Sequence, residues 1–332
     1  MAKTPGQVFH LEPNQAGRTL ATLLRTWLPG ESWGDIKKLI AGRRVMVNGN
    51  LCVDAGRKLL AVDVVKLLPH AISAPPSEHD VKVRYKDKHV VVVEKPAGVT
   101  STRHHEEAHW PKRRKQLQPT LDEMLPQVLG RLEGRHKQGH GVPPPVRPVH
   151  RLDRETSGLM VFARTIPAET HLMQQFRKHT TKRRYVAVVQ GHVEPRTIES
   201  HLVRDRGDGR RGSTTLPNVG KKSVTHVKPL EYLGKYTLIE CRLETGRTHQ
   251  IRIHLAELGH PLCGEKVYHQ PLFKKPMADH SGAPRIALHA AELGFVHPIT
   301  EAEVFFEMEL PEDLAEFVER LRRESGSEKG EE

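Results

Sequence analysis

The sequence predicts an α+β protein, with a large domain built on a mixed or antiparallel β-sheet and a small α/β module before it. Three observations support this class. Strand-like segments dominate the large domain, helical patterns fall among them at irregular intervals, and the chain lacks the Gly-rich phosphate loops that bind dinucleotides or nucleoside triphosphates. A regular βαβ array is therefore disfavoured, and no nucleotide cofactor is expected.

The composition limits the classes of binding partner that we expect. The chain has 332 residues and a net charge of +12, so it can hold two domains and favours a polyanion, either nucleic acid or an anionic membrane surface. It has neither a signal-type N-terminus nor an apolar run approaching about 18 residues. We expect a soluble cytoplasmic protein that binds nucleic acid and no membrane. Cys52, Cys241 and Cys263 lack metal-ligand spacing and should be reduced.

The N-terminal part begins with a leader, residues 1–13, that we expect to be loose. A module at 14–70 follows. Apolar spacing predicts helices at 20–28 and 35–40. The alternating stretch 43–49 predicts a strand that ends in Asn-Gly, a strong hairpin signal because both residues tolerate a positive φ.

A linker at 71–80, marked by a Pro-Pro pair, separates this module from the large domain at 81–322. The four valines at 90–93 predict a buried strand, because they are β-branched and too few for a helix. The acidic tail at 323–332 consists of Gly, Ser and charged residues, and we expect it to be disordered.

The remaining elements of the large domain follow from periodicity in the same way. Helical patterns occupy 121–133, 168–178 and 250–258, and strand patterns occupy 159–163, 185–190, 223–232, 236–243 and 302–309.

The first candidate site is the segment 150–158, which places one carboxylate, Asp153, between Arg151 and Arg154 just before a buried strand. A carboxylate flanked by cations stays ionised and can act as a nucleophile or a base. Taken alone, a surface ion pair is the commoner explanation for such a pattern. Support for catalysis must come from elsewhere in the chain.

Two further segments carry candidate residues. Tyr185 begins an apolar strand behind three cations, so it could stack on a base while the cations meet phosphates; a core aromatic is the alternative. Arg247 lies near a helix N-terminus, where the helix dipole disfavours a cation unless an anionic partner is close. We expect Arg252 and His254, further along, to make structural or backbone contacts.

In this order, the three segments resemble the RluA-type family of RNA pseudouridine synthases over roughly residues 81–315. Other pieces that fit the resemblance are Glu94-Lys95-Pro96-Ala97-Gly98, Gly259-His260-Pro261-Leu262-Cys263-Gly264, Leu288-His289-Ala290 and Phe295-Val296-His297-Pro298.

The N-terminal module is similar to a small RNA-binding domain first described in a ribosomal small-subunit protein. The strand at 45–49 carries this similarity. Where that domain usually has Gly-Asp before its last strand, this chain has Ala61-Val62-Asp63, which is expected to alter a turn.

The resemblance implies an isomerase that converts uridine to pseudouridine, most simply in large-subunit ribosomal RNA, without a metal or any other cofactor. It implies that Asp153 is the catalytic carboxylate and that Arg247 is its buried ion-pair partner. Tyr185 would stack on the uracil and Leu288 would pack on its other side. Arg151 would fill the space that the flipped base leaves. A monomer is expected.

Two other functions are weighed against this one. A catalytically silent RNA-binding or ribosome-assembly protein could keep the same fold, although it would not need a buried carboxylate facing RNA. A hydrolase could use Asp153 as a general base, but no partner acid stands at a suggestive spacing.

The insertion at 103–146, with its basic run at 112–115, could contact RNA near the target or form a solvated loop. The histidines nearby, His104, His105 and His109, are better explained by a solvated loop than by a metal site.

Overall fold

The computed structural model describes residues 7–48, 50–68, 77–103, 107, 109–111, 115, 119–134, 145–207, 209–269 and 275–328. The chain forms two compact units, one of residues 1–75 with 104–119 and one of residues 76–103 with 120–332. Predictions about most of the linker, His104, His105, the first three residues of the basic run and the last four residues of the tail lie outside the described residues.

Among its described residues the first unit has a four-stranded antiparallel sheet, two α-helices and a short 3₁₀ helix at Pro13–Gln15. Its elements are β1 (Gln7–His10), α1 (Leu20–Trp27), α2 (Trp33–Ala41), β2 (Val45–Val47), β3 (Asn50–Leu51) and β4 (Val64–Leu67). The strand order is β1-β4-β2-β3. Both helices start at hydroxyl N-caps, Thr19 and Ser32, whose side chains accept backbone N–H bonds.

The expected loose leader is wrong for residues 7–10. They form β1, which pairs with β4, and Phe9 stacks on Trp27 with ring centroids 4.9 Å apart. The segment was missed because its pairing partner is more than fifty residues away, and a four-residue pattern carries little signal by itself.

The altered turn before β4 is held by Asp63. Its carboxylate accepts hydrogen bonds from Nδ2 of Asn48 at 2.7 Å and from the Leu60 N–H at 2.9 Å, while the side-chain Oδ1 of Asn48 accepts the Val64 N–H at 2.8 Å. Asn48 has the positive φ, 52°, that the hairpin signal predicted. The turn is therefore closed by side chains, and no glycine is needed before Asp63.

The second unit contains eleven strands and four helices among its described residues. The strands are β5 (Lys82–Lys86), β6 (Val90–Lys95), β7 (Arg147–Pro148), β8 (Ser157–Ala163), β9 (Lys182–Gln190), β10 (Arg196–Val203), β11 (Gly212–Thr214), β12 (Lys221–Leu233), β13 (Tyr236–Leu243), β14 (Leu288–Val296) and β15 (Glu303–Glu307). The helices are α3 (Leu121–Leu132), α4 (Ile166–Lys178), α5 (Gln250–Leu258) and α6 (Glu312–Glu328).

All eleven strands form one sheet. Nine follow the order β11-β10-β12-β13-β9-β14-β8-β6-β5, while β15 pairs with β14 and β7 pairs with β8. The pairs are antiparallel except β8 with β14, which run parallel over two residue pairs. The sheet is thus mixed, as predicted, and the α+β class is confirmed.

Helices cover both faces of this sheet, so its central strands are buried on both sides. In β6, Val91 and Val93 pack in the core that also contains α3 and α5, whereas Val90 and Val92 pack with α4. This explains why the sequence shows a continuous apolar run here instead of alternation.

The C-terminal helix was not predicted. Leu314, Phe317, Val318 and Leu321 have helical spacing and belong to one core cluster with residues of β9, β12 and β13. The helix continues to residue 328, so the expectation of a disordered tail from 323 is wrong for residues 323–328. No proline interrupts the helix after Pro311, and charged residues in its last turns are compatible with an exposed helical end.

The parallel contact of β8 with β14 depends on Gly158. Its φ is +130°, and a Cβ there would lie 2.3 Å from the Ala290 carbonyl oxygen. Gly158→Ala should lower the free energy of unfolding by at least about 2 kcal/mol, measured by denaturant unfolding. Gly207→Ala is the matched control, because φ is +113° there but no described atom beyond its chain neighbours lies within 4 Å of an added Cβ. Equal losses in both variants would show that backbone strain alone matters.

Candidate active site

A cleft of about 350 Å³ opens beside the junction of β8 and β14. The five residues that the sequence singled out all line it: Arg151, Asp153, Tyr185, Arg247 and Leu288. They come from the loop before β8, the strands β9 and β14, and the loop before α5. The fold therefore brings together segments separated by up to 137 positions in the sequence.

The loop that carries Asp153 is fixed by hydrogen bonds on both sides. Ser101 donates its hydroxyl to the Leu152 carbonyl at 2.7 Å and accepts the Leu152 N–H at 3.0 Å. The Thr156 N–H closes the turn on the Asp153 carbonyl at 3.1 Å. The backbone of Asp153 is therefore preorganised before any substrate is bound.

Lys95 ties this loop to the segment after β6. Its ammonium is fully buried and donates to the carbonyl oxygens of Pro96, Val99 and Arg154 at 2.9, 2.7 and 3.0 Å. Burial lowers the pKa of Lys95 to about 7, although the carboxylates of Glu155 and Asp153 oppose this. Lys95 belongs to a motif of the family resemblance for which the sequence indicated no role. In the structure it clamps the loop through these three hydrogen bonds.

The side chains of Arg252 and His249 place nitrogen atoms close to the Asp153 carboxylate. Its Oδ2 lies 3.4 Å from Nη1 of Arg252, and its Oδ1 lies 3.7 Å from Nε2 of His249. The predicted ion pair with Arg247 is therefore wrong: among the described residues Arg252 is the arginine that contacts this carboxylate. The expectation of structural or backbone contacts for Arg252 agrees with its bonds to Glu265 but misses its contact with Asp153.

Arg252 is itself held by a buried carboxylate. Its Nε and Nη2 donate to the two oxygens of Glu265 at 2.7 and 2.8 Å, a bidentate geometry. Burial alone would raise the pKa of Glu265, but these bonds and backbone N–H donors at 267 and 268 hold it below its usual range. Glu265 neutralises part of the charge on Arg252 and fixes its direction toward Asp153.

Arg247 lies outside this pair because it precedes α5 by three positions. Its backbone N–H donates to Gln250 Oε1 at 3.0 Å, and its Nε donates to the Lys222 carbonyl at 3.4 Å. Arg252 lies in the first turns of the helix, between the buried Ile251 and Ile253. The signal that could have identified Arg252 is a cation between two isoleucines at the start of a helix, since charges are rarely buried unless paired.

Tyr185 and Leu288 present apolar surface to the cleft. Tyr185 pairs across the sheet with Cys241 and Ala290 and is 8% exposed, and Leu288 is 3% exposed. Burial raises the pKa of the Tyr185 phenol, with Asp153 adding to the effect and Arg183 opposing it. The ring is therefore neutral and suited to stacking.

His249 was not singled out by the sequence. It lies in the left-handed region with φ of 59°, and its Nδ1 is 2.7 Å from the Tyr268 hydroxyl. Burial raises the pKa of Tyr268 to about 12, so the phenol keeps its proton and can donate it to Nδ1. The imidazole would then carry its own proton on Nε2, which faces Asp153.

Comparison with known proteins identifies the family. A model of the family described as RNA pseudouridylate synthase matches residues 89–257. The chain is also 35% identical over 90% of its length to the ribosomal large subunit pseudouridine synthase D of Zymomonas mobilis subsp. mobilis, of which it covers 90%. The chain belongs to the RNA pseudouridine synthase family. This confirms the family resemblance and the predicted enzyme class, an isomerase.

Other pseudouridine synthases agree with this assignment. The protein of the same name from Escherichia coli O157:H7 is 32% identical over 93% of this chain, which covers 92% of that protein. The solved structure of human RNA Pseudouridylate Synthase Domain Containing 4 has a TM-score of 0.56 at 22% identity, covering 72% of this chain and 92% of that one. That likeness concerns the fold alone. No helix in the described part of this pseudouridine synthase has the length and apolar character of a membrane span.

Proposed function

We propose that this pseudouridine synthase modifies specific uridines of large-subunit ribosomal RNA, with Asp153 as its essential carboxylate. The observation that carries the proposal is the position of Asp153, which is the one carboxylate among the described lining residues of a cleft that five arginines also line. The names of the relatives from Zymomonas mobilis and Escherichia coli support the choice of RNA.

The reaction breaks the glycosidic bond of uridine, turns the uracil and joins the sugar to carbon 5. It needs a carboxylate that attacks, or removes a proton, near the sugar. Arg252 places a cation 3.4 Å from the Asp153 carboxylate and so offsets part of the cost of placing this charge in the cleft. In this proposal Arg252 takes the ion-pair role first expected of Arg247.

The apolar side chains would hold the base. A uracil in the cleft would stack on the neutral ring of Tyr185 and pack against Leu288 on its other side, since both line the same cavity. Stacking on an aromatic ring contributes about 1–3 kcal/mol per base and is independent of hydrogen bonding.

Arg151 is suited to a different task. Its side chain is exposed at the edge of the cleft, one position before Leu152, which is buried and fixes the loop. Extruding a stacked uridine costs a few kcal/mol, and a guanidinium that occupies the vacated place can stack and donate hydrogen bonds. We assign this task to Arg151.

We further propose that the N-terminal unit binds RNA and that the enzyme is a cytoplasmic monomer. Support for the first comes from its similarity to a small RNA-binding domain, and for the location from the ribosomal substrate. Support for the monomer comes from the cleft, whose lining residues one chain supplies together.

Mapping pseudouridines in ribosomal RNA tests the proposed function. Cells lacking the gene should lose one or a few large-subunit sites, and the purified protein should restore them on the unmodified RNA without added cofactor. An unchanged map, together with retained RNA binding by the purified protein, would instead support a silent RNA-binding protein.

A further inference from the structure

The three cations that begin β9 separate into two groups. A strand alternates its side chains between the two faces of a sheet, so Arg183 shares a face with Tyr185 and both line the cleft. On the opposite face, Lys182 pairs with Glu303 at 3.3 Å and Arg184 pairs with Glu292. Arg183 is thus the one of the three without a carboxylate partner among the described residues.

Two nitrogens of the Arg183 guanidinium have no hydrogen-bond acceptor among the described residues. These are Nε and Nη2, and both are buried without a hydrogen-bond partner in the described part of the protein. The Cζ atom of Arg183 lies 5.7 Å from the centroid of the Phe176 ring. Burial lowers the pKa of Arg183, which shows that the surroundings disfavour its charge. Unpaired buried donors are unfavourable, so this arrangement is better explained by an acceptor that arrives with a ligand.

A second cation faces the same place. The loop before α5 approaches Arg183 closely, since a Cβ at Gly246 would lie 2.8 Å from its Nη1, and Arg247 comes next in that loop. Both arginines lie close enough to His179 to affect its pKa. Burial lowers this pKa, the positive charges of Arg183 and Arg247 lower it further, and the negative charge of Glu244 raises it by less. The carboxylate of Glu244 is itself 2.7 Å from His226.

We propose that Arg183, together with Arg247, binds one phosphodiester group of the RNA beside the target uridine. This rests on the proposed RNA substrate and adds a specific anion site to it. A phosphate supplies both the negative charge and several acceptor oxygens that a guanidinium can meet at once, whereas the uracil carbonyls are neutral. The site lies in the same cleft as Asp153, so it would hold the target nucleotide or its neighbour.

The test compares Arg183→Gln with Lys182→Gln, which removes the same charge one position away on the other face. Binding of an in vitro transcript of large-subunit RNA is measured across a salt series. Arg183→Gln should weaken binding about tenfold and reduce the slope of log Kd against log salt by about one, with KM affected more than kcat. Arg183→Lys should keep the slope. Lys182→Gln should change affinity less than about twofold and leave the slope unchanged.

Thermal unfolding separates binding from a structural role. Because Arg183 has buried donors without partners, Arg183→Gln should leave Tm unchanged or raise it. An unchanged salt slope for Arg183→Gln would overturn the inference, with or without a lower Tm, even if the wild-type enzyme is active. Failure of the proposed function is distinct, because there the wild-type protein itself would form no pseudouridine in ribosomal RNA.

Discussion

Asp153→Asn should abolish pseudouridine formation, with a loss of roughly 10⁴-fold or more, while folding and RNA binding persist. Asparagine has nearly the same shape, but it can neither attack the substrate nor accept a proton as a carboxylate does. The fold should tolerate it because Arg252 keeps both of its hydrogen bonds to Glu265. Release of tritium from RNA labelled at carbon 5 of uridine measures the reaction directly.

Glu155→Gln is the matched control for this variant. Glu155 lies on the same loop, and its side chain is 44% exposed beside Arg154 at 3.7 Å, so its loss should change the rate less than about threefold. An Asp153→Asn protein with more than about a tenth of the normal rate would contradict the assignment. Absence of tritium release from the wild-type protein as well would indicate a silent RNA-binding protein.

Local patterns in the sequence predicted most of the large domain. β13 and α5 have the predicted bounds, and β12 differs by two residues at its start and one at its end. These elements are long and strongly periodic, and each buries one or both faces, so the pattern of apolar residues determines the type of element. The sequence also identified five residues that line one cleft. It could do so because the family resemblance rests on several segments in a fixed order and not on a single motif.

Contacts between distant residues could not be predicted in the same way. Arg247 and Arg252 are five positions apart, and only the start of α5 at Gln250 decides which of them points to Asp153. The clamp by Lys95 depends on three carbonyl oxygens, one of them 59 positions away. Such partners are set by the packing of the sheet, and no local periodicity encodes them.

Arg252→Met should have the largest combined effect on stability and activity. It would leave the buried carboxylate of Glu265, whose side chain is 1% exposed, and that of Asp153 without their cation. Removing one partner of a buried ion pair costs about 3–5 kcal/mol, so the free energy of unfolding should fall by that amount in a denaturant titration. Arg247→Met is the control and should change it by less than about 1 kcal/mol, since Arg247 makes no ion pair among the described residues.

The residual activity of the two arginine variants shows which arginine acts on Asp153. Arg252 is the arginine that contacts the Asp153 carboxylate, so its loss should lower kcat. Loss of Arg247 should leave kcat nearly unchanged and act mainly on KM. The double variant Arg252→Met, Glu265→Gln removes both buried charges, so stability should partly return while activity does not. If activity returned with stability, Arg252 would serve the fold alone, and the chemistry of Asp153 would not depend on this contact.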